Sequence, residues 1–279
     1  MALIPPFFLD CVVAIGVPGE VEQIAWTASG FLYGHPFCHP TSGQKMYSVC
    51  LVTNRHVFEK HAHAFLRFNP TDARPAQTYD LELVDGEGKP LWWGDDDPEI
   101  DIAAIPVDID MLLAQGIQVA YFQGDVHAAN TAQMSALGVS EGDFAYVLGF
   151  PMGLVGRERS VAIVRSGSLA RVRDTLAGRD TTFLVDALIF PGNSGGPVIS
   201  KPELLAIQGT QAHPSAHLIG IVTGYRTYSD VAVSPQSKRV RVVFEDNSGL
   251  AVAHPIDFVQ RILVKHICVP AEDTDDVKA

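Results

Sequence analysis

Positive charge is scarce in this chain: 20 Lys and Arg stand against 32 Asp and Glu, a net charge of −12. A face that grips nucleic acid or an anionic bilayer needs the opposite balance, so neither is an expected partner. Long apolar runs are missing as well. None approaches the roughly 20 residues that span a bilayer as a helix. The N-terminal "MALIPPFFLDCVVAIGV" is apolar, but no basic segment precedes it and Asp10 interrupts it. It reads as structure leading into a strand, not as an export signal. Cysteine is limited to Cys11, Cys38, Cys50 and Cys268, with no CxxC pair. No disulfide framework is expected, and reduced thiols place the chain in the cytoplasm. His35, Cys38 and His39 cluster in "GHPFCHP", but the second half-site of a zinc motif is missing. A Pro/Gly-rich loop is expected there, with no metal and no cofactor.

Helix signals are scarce too. "DMLLAQG" (110–116) reads as a short helix, and "PIDFVQRILVKHI" (255–267) as a strong one. In the latter Ile256, Val259, Ile262, Leu263 and Ile267 share a face. What fills the chain instead is short, β-branched and aromatic runs separated by Gly and Pro. "CVVAIGV", "YSVCLVT" and "DIAAIPV" are examples from the first half, "FAYVLGF", "TFLVDA" and "LIGIVTGY" from the second. With 47% hydrophobic and 19% charged residues, these strands have enough apolar surface to close a core. About six strands, a helical connector and six more suggest two antiparallel barrels, although a β-sandwich explains the count equally well.

The motifs decide between them. "PGNSGGPVIS" (191–200) sets Ser194 in a Gly-rich turn between apolar runs. A serine hydroxyl needs a base to take its proton, and the base needs an anion to hold its tautomer. It also needs N–H donors for the oxyanion, which the Gly192 and Ser194 amides supply in this turn. "SVCLVTNRHVFEKH" carries His56 just past a strand, and "DDDPEIDIAAIPVD" carries Asp101 at the mouth of an apolar run. Asp95, Asp96 and Asp97 read as solvated loop residues.

With these three segments in view, the chain resembles the trypsin-like serine proteases, in the chain order His, Asp, Ser. "LVTNRHV", "VLGFPMGL", "DALIFPGNSGGPVIS", "LIGIV" and "GLAVAHPIDFVQRIL" resemble the HtrA/Deg branch more closely. The resemblance covers about Cys11 to His266. It implies an all-β fold of two antiparallel six-stranded barrels of the chymotrypsin type with a C-terminal helix. Residues 8–125 would form the barrel carrying His56 and Asp101, and 126–268 the barrel carrying Ser194 plus the helix. Residues 269–279 read as a disordered acidic tail. The implied activity is a serine endopeptidase acting on protein or peptide substrates through an acyl-enzyme. Thr223 falls where the family hydrogen-bonds the catalytic aspartate; a plain strand residue is the alternative.

The resemblance also implies a first specificity pocket lined by Leu188, Ile189, Val222, Gly224 and Tyr225, with His254 at its margin. Leu188, six residues before Ser194, predicts a preference for apolar side chains. His254 there would favour an acidic residue; otherwise it is a strand-end histidine before Pro255.

Three departures shape further expectations. No PDZ-like domain is expected after the helix. The short stretch before the first strand predicts a monomer or weak oligomer. Asn193 replaces the aspartate that receives a newly cut N-terminus, which points to control by loop ordering or a regulatory protein partner. The basic cluster Lys238, Arg239 and Arg241 reads as a solvated hairpin face or a dock for an acidic partner.

Two other readings compete. "GNSGG" also fits the G-x-S-x-G elbow of α/β-hydrolase esterases, with Asp230 and His254 completing the set. A protease fold kept as a binding or scaffold module is the second.

Overall fold

The computed structural model describes residues 4–20, 23–39, 42–204, 207 and 210–267. A short helix, α1 (Pro6–Asp10), opens them, with Pro6 in the first turn, where its missing N–H costs nothing. An eight-stranded sheet follows. Its strands are β1 (Val12–Pro18), β2 (Ile24–Cys38), β3 (Lys45–Thr53), β4 (His63–Phe68), β5 (Gln77–Glu82), β6 (Trp93–Gly94), β7 (Ala103–Pro106) and β8 (Phe122–Gln123). Helices α2 (Arg55–Phe58) and α3 (Ile109–Ala114) interrupt it, the latter close to the expected short helix. After α4 (Thr131–Ala136) the second sheet is built from β9 (Phe144–Gly149), β10 (Ile163–Arg171), β11 (Phe183–Asp186), β12 (Pro197–Ser200), β13 (His217–Val233) and β14 (Val240–Pro255). Helix α5 (Arg173–Leu176) lies between β10 and β11, and α6 (Asp257–Ile267) closes the described chain.

The second sheet closes on itself as β10–β11–β14–β13–β12–β9, a six-stranded barrel. The first runs in the order β5–β4–β1–β2–β3–β7–β6, and β8 adds to β2 in parallel. Its two end strands are linked only past their ends, where Leu91 N–H donates to the Leu83 carbonyl and Val84 bridges Pro90, so the ladder between β5 and β6 is a short hairpin contact and not a full pairing. Strand β6 is only two residues long because the acidic loop after it turns on its own side chains. Asp95 and Asp97 carboxylates accept the N–H groups of Asp97 and Glu99, a local alternative to ladder bonds. One difference from expectation lies at "GHPFC": it is strand, not loop. Pro36 sits opposite Tyr47 and Cys38 opposite Lys45. Proline is tolerated there because the pairing of β2 with β8 ends at Gly34, leaving Pro36 a neighbour on one side only. Cys268 and the acidic tail lie outside the described residues.

Three apolar clusters hold these layers. One fills the first sheet around Ile15, Leu51, Phe58 and Leu83. Another fills the barrel around Val147, Phe183, Val198 and Ala253. The third joins the two: Phe8, Phe31, Ile100 and Phe122 meet Leu148, Phe150, Ile199 and Ile221. Helix α6 seals this joint with Val259, Ile262 and Leu263, together with Ile256 just before it, the face expected from its periodicity. Asp257 at its start accepts both the N–H and the hydroxyl of Thr131.

Beyond the barrel, β13 and β14 continue as a two-stranded ribbon from Thr227↔Asn247 to Val233↔Val240. Lys238, Arg239 and Arg241 are exposed at its tip.

The seal predicts a contrast within α6. Leu263→Ala should cost about 2–5 kcal/mol through a cavity in the joint, whereas Val264→Ala, half exposed, should change stability by less than about 0.5 kcal/mol. Urea midpoints of the two variants read the difference.

Candidate active site

Strand β3 ends at Thr53, and Asn54 turns the chain into α2. His56 therefore stands at the rim of the first sheet, pointing away from its core. Asp101 precedes β7, the neighbour of β3, so adjacent strands bring the pair together. The Asp101 carboxylate takes two bonds from the same residue. Oδ1 accepts the backbone N–H of His56 at 3.0 Å, and Oδ2 lies 2.7 Å from Nδ1. An ionised carboxylate only accepts, so Nδ1 carries its hydrogen and Nε2 is left as the basic nitrogen.

Asp101 is held by its backbone as well. Its carbonyl accepts Asn54 Nδ2 at 2.8 Å, and its N–H donates to His254 Nε2 at 3.2 Å. The acidic loop ahead of it is less free than expected. Asp95 is 7% exposed in its side chain and pairs with Arg261 of α6 at 2.6 Å. Its backbone carbonyl accepts Arg55. Lys265 pairs with Asp96 and holds that carboxyl below its usual range.

Ser194 comes from the other sheet, in the turn between β11 and β12. Two glycines shape the turn. Gly192 has φ +100 and Gly195 φ +81, where side chains are strained. A Cβ at Gly192 would also collide with the Phe150 carbonyl, and one at Gly195 with the Ser29 carbonyl and Thr53 Oγ1. That second collision locates the turn: Gly195, next to Ser194, lies against Thr53 at the end of β3, three residues before His56.

The peptides around Gly192 are anchored on both sides. Met152 N–H donates to the Pro191 carbonyl at 2.6 Å, from a left-handed backbone at φ 56 that costs on the order of 1 kcal/mol. Ser29 Oγ donates to the Gly192 carbonyl at 2.6 Å and accepts Phe150 N–H at 2.9 Å. Ser29 N–H donates to the Ser194 carbonyl at 2.8 Å. Asn193, fully buried, closes the turn by pairing its N–H and its Oδ1 with Phe190. Among the described residues, the N–H groups of Gly192 and Ser194 have no acceptor. Two fixed donors without partners flank a serine, the arrangement that stabilises an oxyanion.

A family model described as "trypsin-like peptidase domain" matches residues 28–207, a span that includes His56, Asp101 and Ser194. The chain belongs to that family. No curated protein matches it.

Not every expected residue of this trypsin-like peptidase lands where the sequence suggested. The Thr223 hydroxyl donates to the Val252 carbonyl at 3.4 Å and does not bond Asp101. His254 is 2% exposed. Its Nδ1 pairs with the Thr181 carbonyl at 2.8 Å and its Nε2 with Asp101 N–H, so it lies behind the aspartate and not in a pocket. Ile189 and Val222 belong to the barrel core. Leu188 is 45% exposed, Gly224 and Tyr225 are half-buried, and a Cβ at Gly224 would meet only open space. The esterase arrangement is not assembled: Ser194 is followed by strand β12 and not a helix, and Asp230 lies on the exposed ribbon.

The sequence reading missed Ser29 and Asn54, both fully buried. Neither carries a local signal, because their partners are distant in the chain. Asn247, whose Nδ2 donates to the Ile189 carbonyl at 2.5 Å, was missed for the same reason. Ser29→Ala would leave the Gly192 carbonyl and the Phe150 N–H unpaired in the interior. It should lower stability by about 1–3 kcal/mol, read as a shift of the denaturant midpoint, and disorder the Gly192 peptide.

Proposed function

We propose that this trypsin-like peptidase is a serine endopeptidase working through Ser194, His56 and Asp101. The observation that carries the reading is the two-point pairing of Asp101 with His56, together with a serine turn held against Thr53, three residues before His56, in which the N–H groups of Gly192 and Ser194 are unpartnered. Ser194 Oγ attacks the scissile carbonyl carbon while its proton passes to His56 Nε2. The carbonyl electrons move to the oxygen, which sits between the Gly192 and Ser194 amides. They return as the C–N bond breaks, and His56 gives the proton to the departing amine. Water then cleaves the ester by the same route, releasing the acid and restoring the serine. Asp101 stabilises the imidazolium formed at each stage.

The HtrA/Deg likeness of "LVTNRHV" and "DALIFPGNSGGPVIS" supports placing the chain near that branch, with protein substrates. Exposed Leu188 and open Gly224 favour an apolar residue before the cut bond. One observation favours an acidic residue instead. Arg165 donates twice to the Leu188 carbonyl and lies 5.4 Å from the Phe190 ring, and among the described residues it pairs with no carboxylate. Cleavage profiling on a peptide library separates the two preferences, and Arg165→Gln should abolish only the acidic one.

A fluorophosphonate should label Ser194 and fail on Ser194→Ala and His56→Ala. Asp101→Asn should lower kcat by about 10⁴-fold, by permitting the wrong tautomer of His56. A folded wild type that neither labels nor cleaves would mean a binding or scaffold module instead.

A further inference from the structure

The structure assigns His254 a positioning role. From β14 of the barrel its unprotonated Nε2 accepts the Asp101 N–H, holding in place the aspartate that orients His56. This rests on the reading of Ser194, His56 and Asp101 as a catalytic set. His254 lies beyond the family match, which ends at residue 207.

The two partners of the ring settle its proton. The Thr181 carbonyl can only accept, so Nδ1 carries the hydrogen; the Asp101 N–H can only donate, so Nε2 is bare. One neutral tautomer satisfies both bonds. A second proton would set Nε2–H against the Asp101 N–H, and the bond would become a repulsion. The ring is buried, with Phe258 of α6 edge-on at 5.6 Å. The charged groups that act on it are Asp101, Asp95 and Asp97, all from the segment leading into β7. These carboxylates and the Thr181 bond favour the protonated ring, but loss of hydration outweighs them and its pKa is lowered from the ordinary histidine value. The neutral form is thus the folded one. Its contribution to stability is present above the ordinary histidine pKa and is lost as pH falls towards the lowered folded value.

Asp101 bridges two elements through this contact. Asn54 holds its carbonyl from the first sheet, while His254 holds its N–H from the barrel. Helix α6 starts three residues after His254, and Arg261 on that helix holds Asp95. Barrel and helix together therefore set the height of the aspartate against His56.

The test compares His254→Phe, which keeps apolar volume without an acceptor, with His254→Gln, whose Oε1 can reach the Asp101 N–H. His254→Phe should lower kcat by about 10- to 100-fold, the penalty for a misplaced catalytic group, with KM unchanged. His254→Gln should recover most of that loss. In wild type the acid limb of kcat/KM should steepen from one proton to two, and in His254→Gln it should stay at one. A folded His254→Phe with wild-type kcat overturns the assignment. A readout independent of activity uses Ser194→Ala labelled with ¹⁵N-histidine, in which His254 should show a protonated Nδ1 and a bare Nε2 at neutral pH. A protonated Nε2 overturns the assignment as well. If wild type fails to label with fluorophosphonate, the catalytic reading falls, and the nitrogen spectrum still decides the contact.

Discussion

Ser29 ties the two sheets together at the turn that carries Ser194. Its N–H reaches the Ser194 carbonyl, its own carbonyl accepts Thr53 Oγ1, and its hydroxyl bridges the Gly192 carbonyl and Phe150 N–H. Four bonds at one fully buried residue fix the serine turn against the end of the strand that presents His56. Buried polar groups of this kind are costly when unpaired, so the cluster tolerates few other arrangements. The glycines follow from it, since Gly195 lies against the same Ser29 carbonyl.

The aspartate shows the same division of labour. Its carboxylate faces His56, while its backbone is held from behind by Asn54 and His254. The joint core and α6 supply the rigidity behind both. Phe31, Leu148, Ile221 and Leu263 pack one shared cluster, so a shift of either sheet would disturb Asp101 and the serine turn together.

Much of the fold was legible residue by residue. The continuous β-branched runs "CVVAIGV" and "LIGIVTGY", and the helical face at Ile256, Val259, Ile262 and Leu263, are local signals, and the elements formed there. The shortness of β6 was not legible, because the chain after it turns on the Asp95 and Asp97 side chains. Pro36 misled for a related reason: a proline marks a loop unless the ladder has already lost its neighbour on one side. The family pattern offers Thr223 to the aspartate and His254 to the pocket margin, and their alternatives, a plain strand residue and a strand-end histidine, are what the fold shows. Their actual partners, Val252 and Asp101, depend on how deep β13 and β14 sit in the barrel.

By itself the sequence determined the candidate set, His56, Asp101 and Ser194, because each residue type comes with a local setting of its own. A histidine follows an apolar strand, an aspartate opens another, and a serine sits among glycines. Tertiary structure alone decided what holds them. Ser29, Asn54 and His254 act through partners 163, 47 and 153 positions away. Hydrogen bonds that span such separations depend on the folded path of the chain and leave no periodicity or spacing to read.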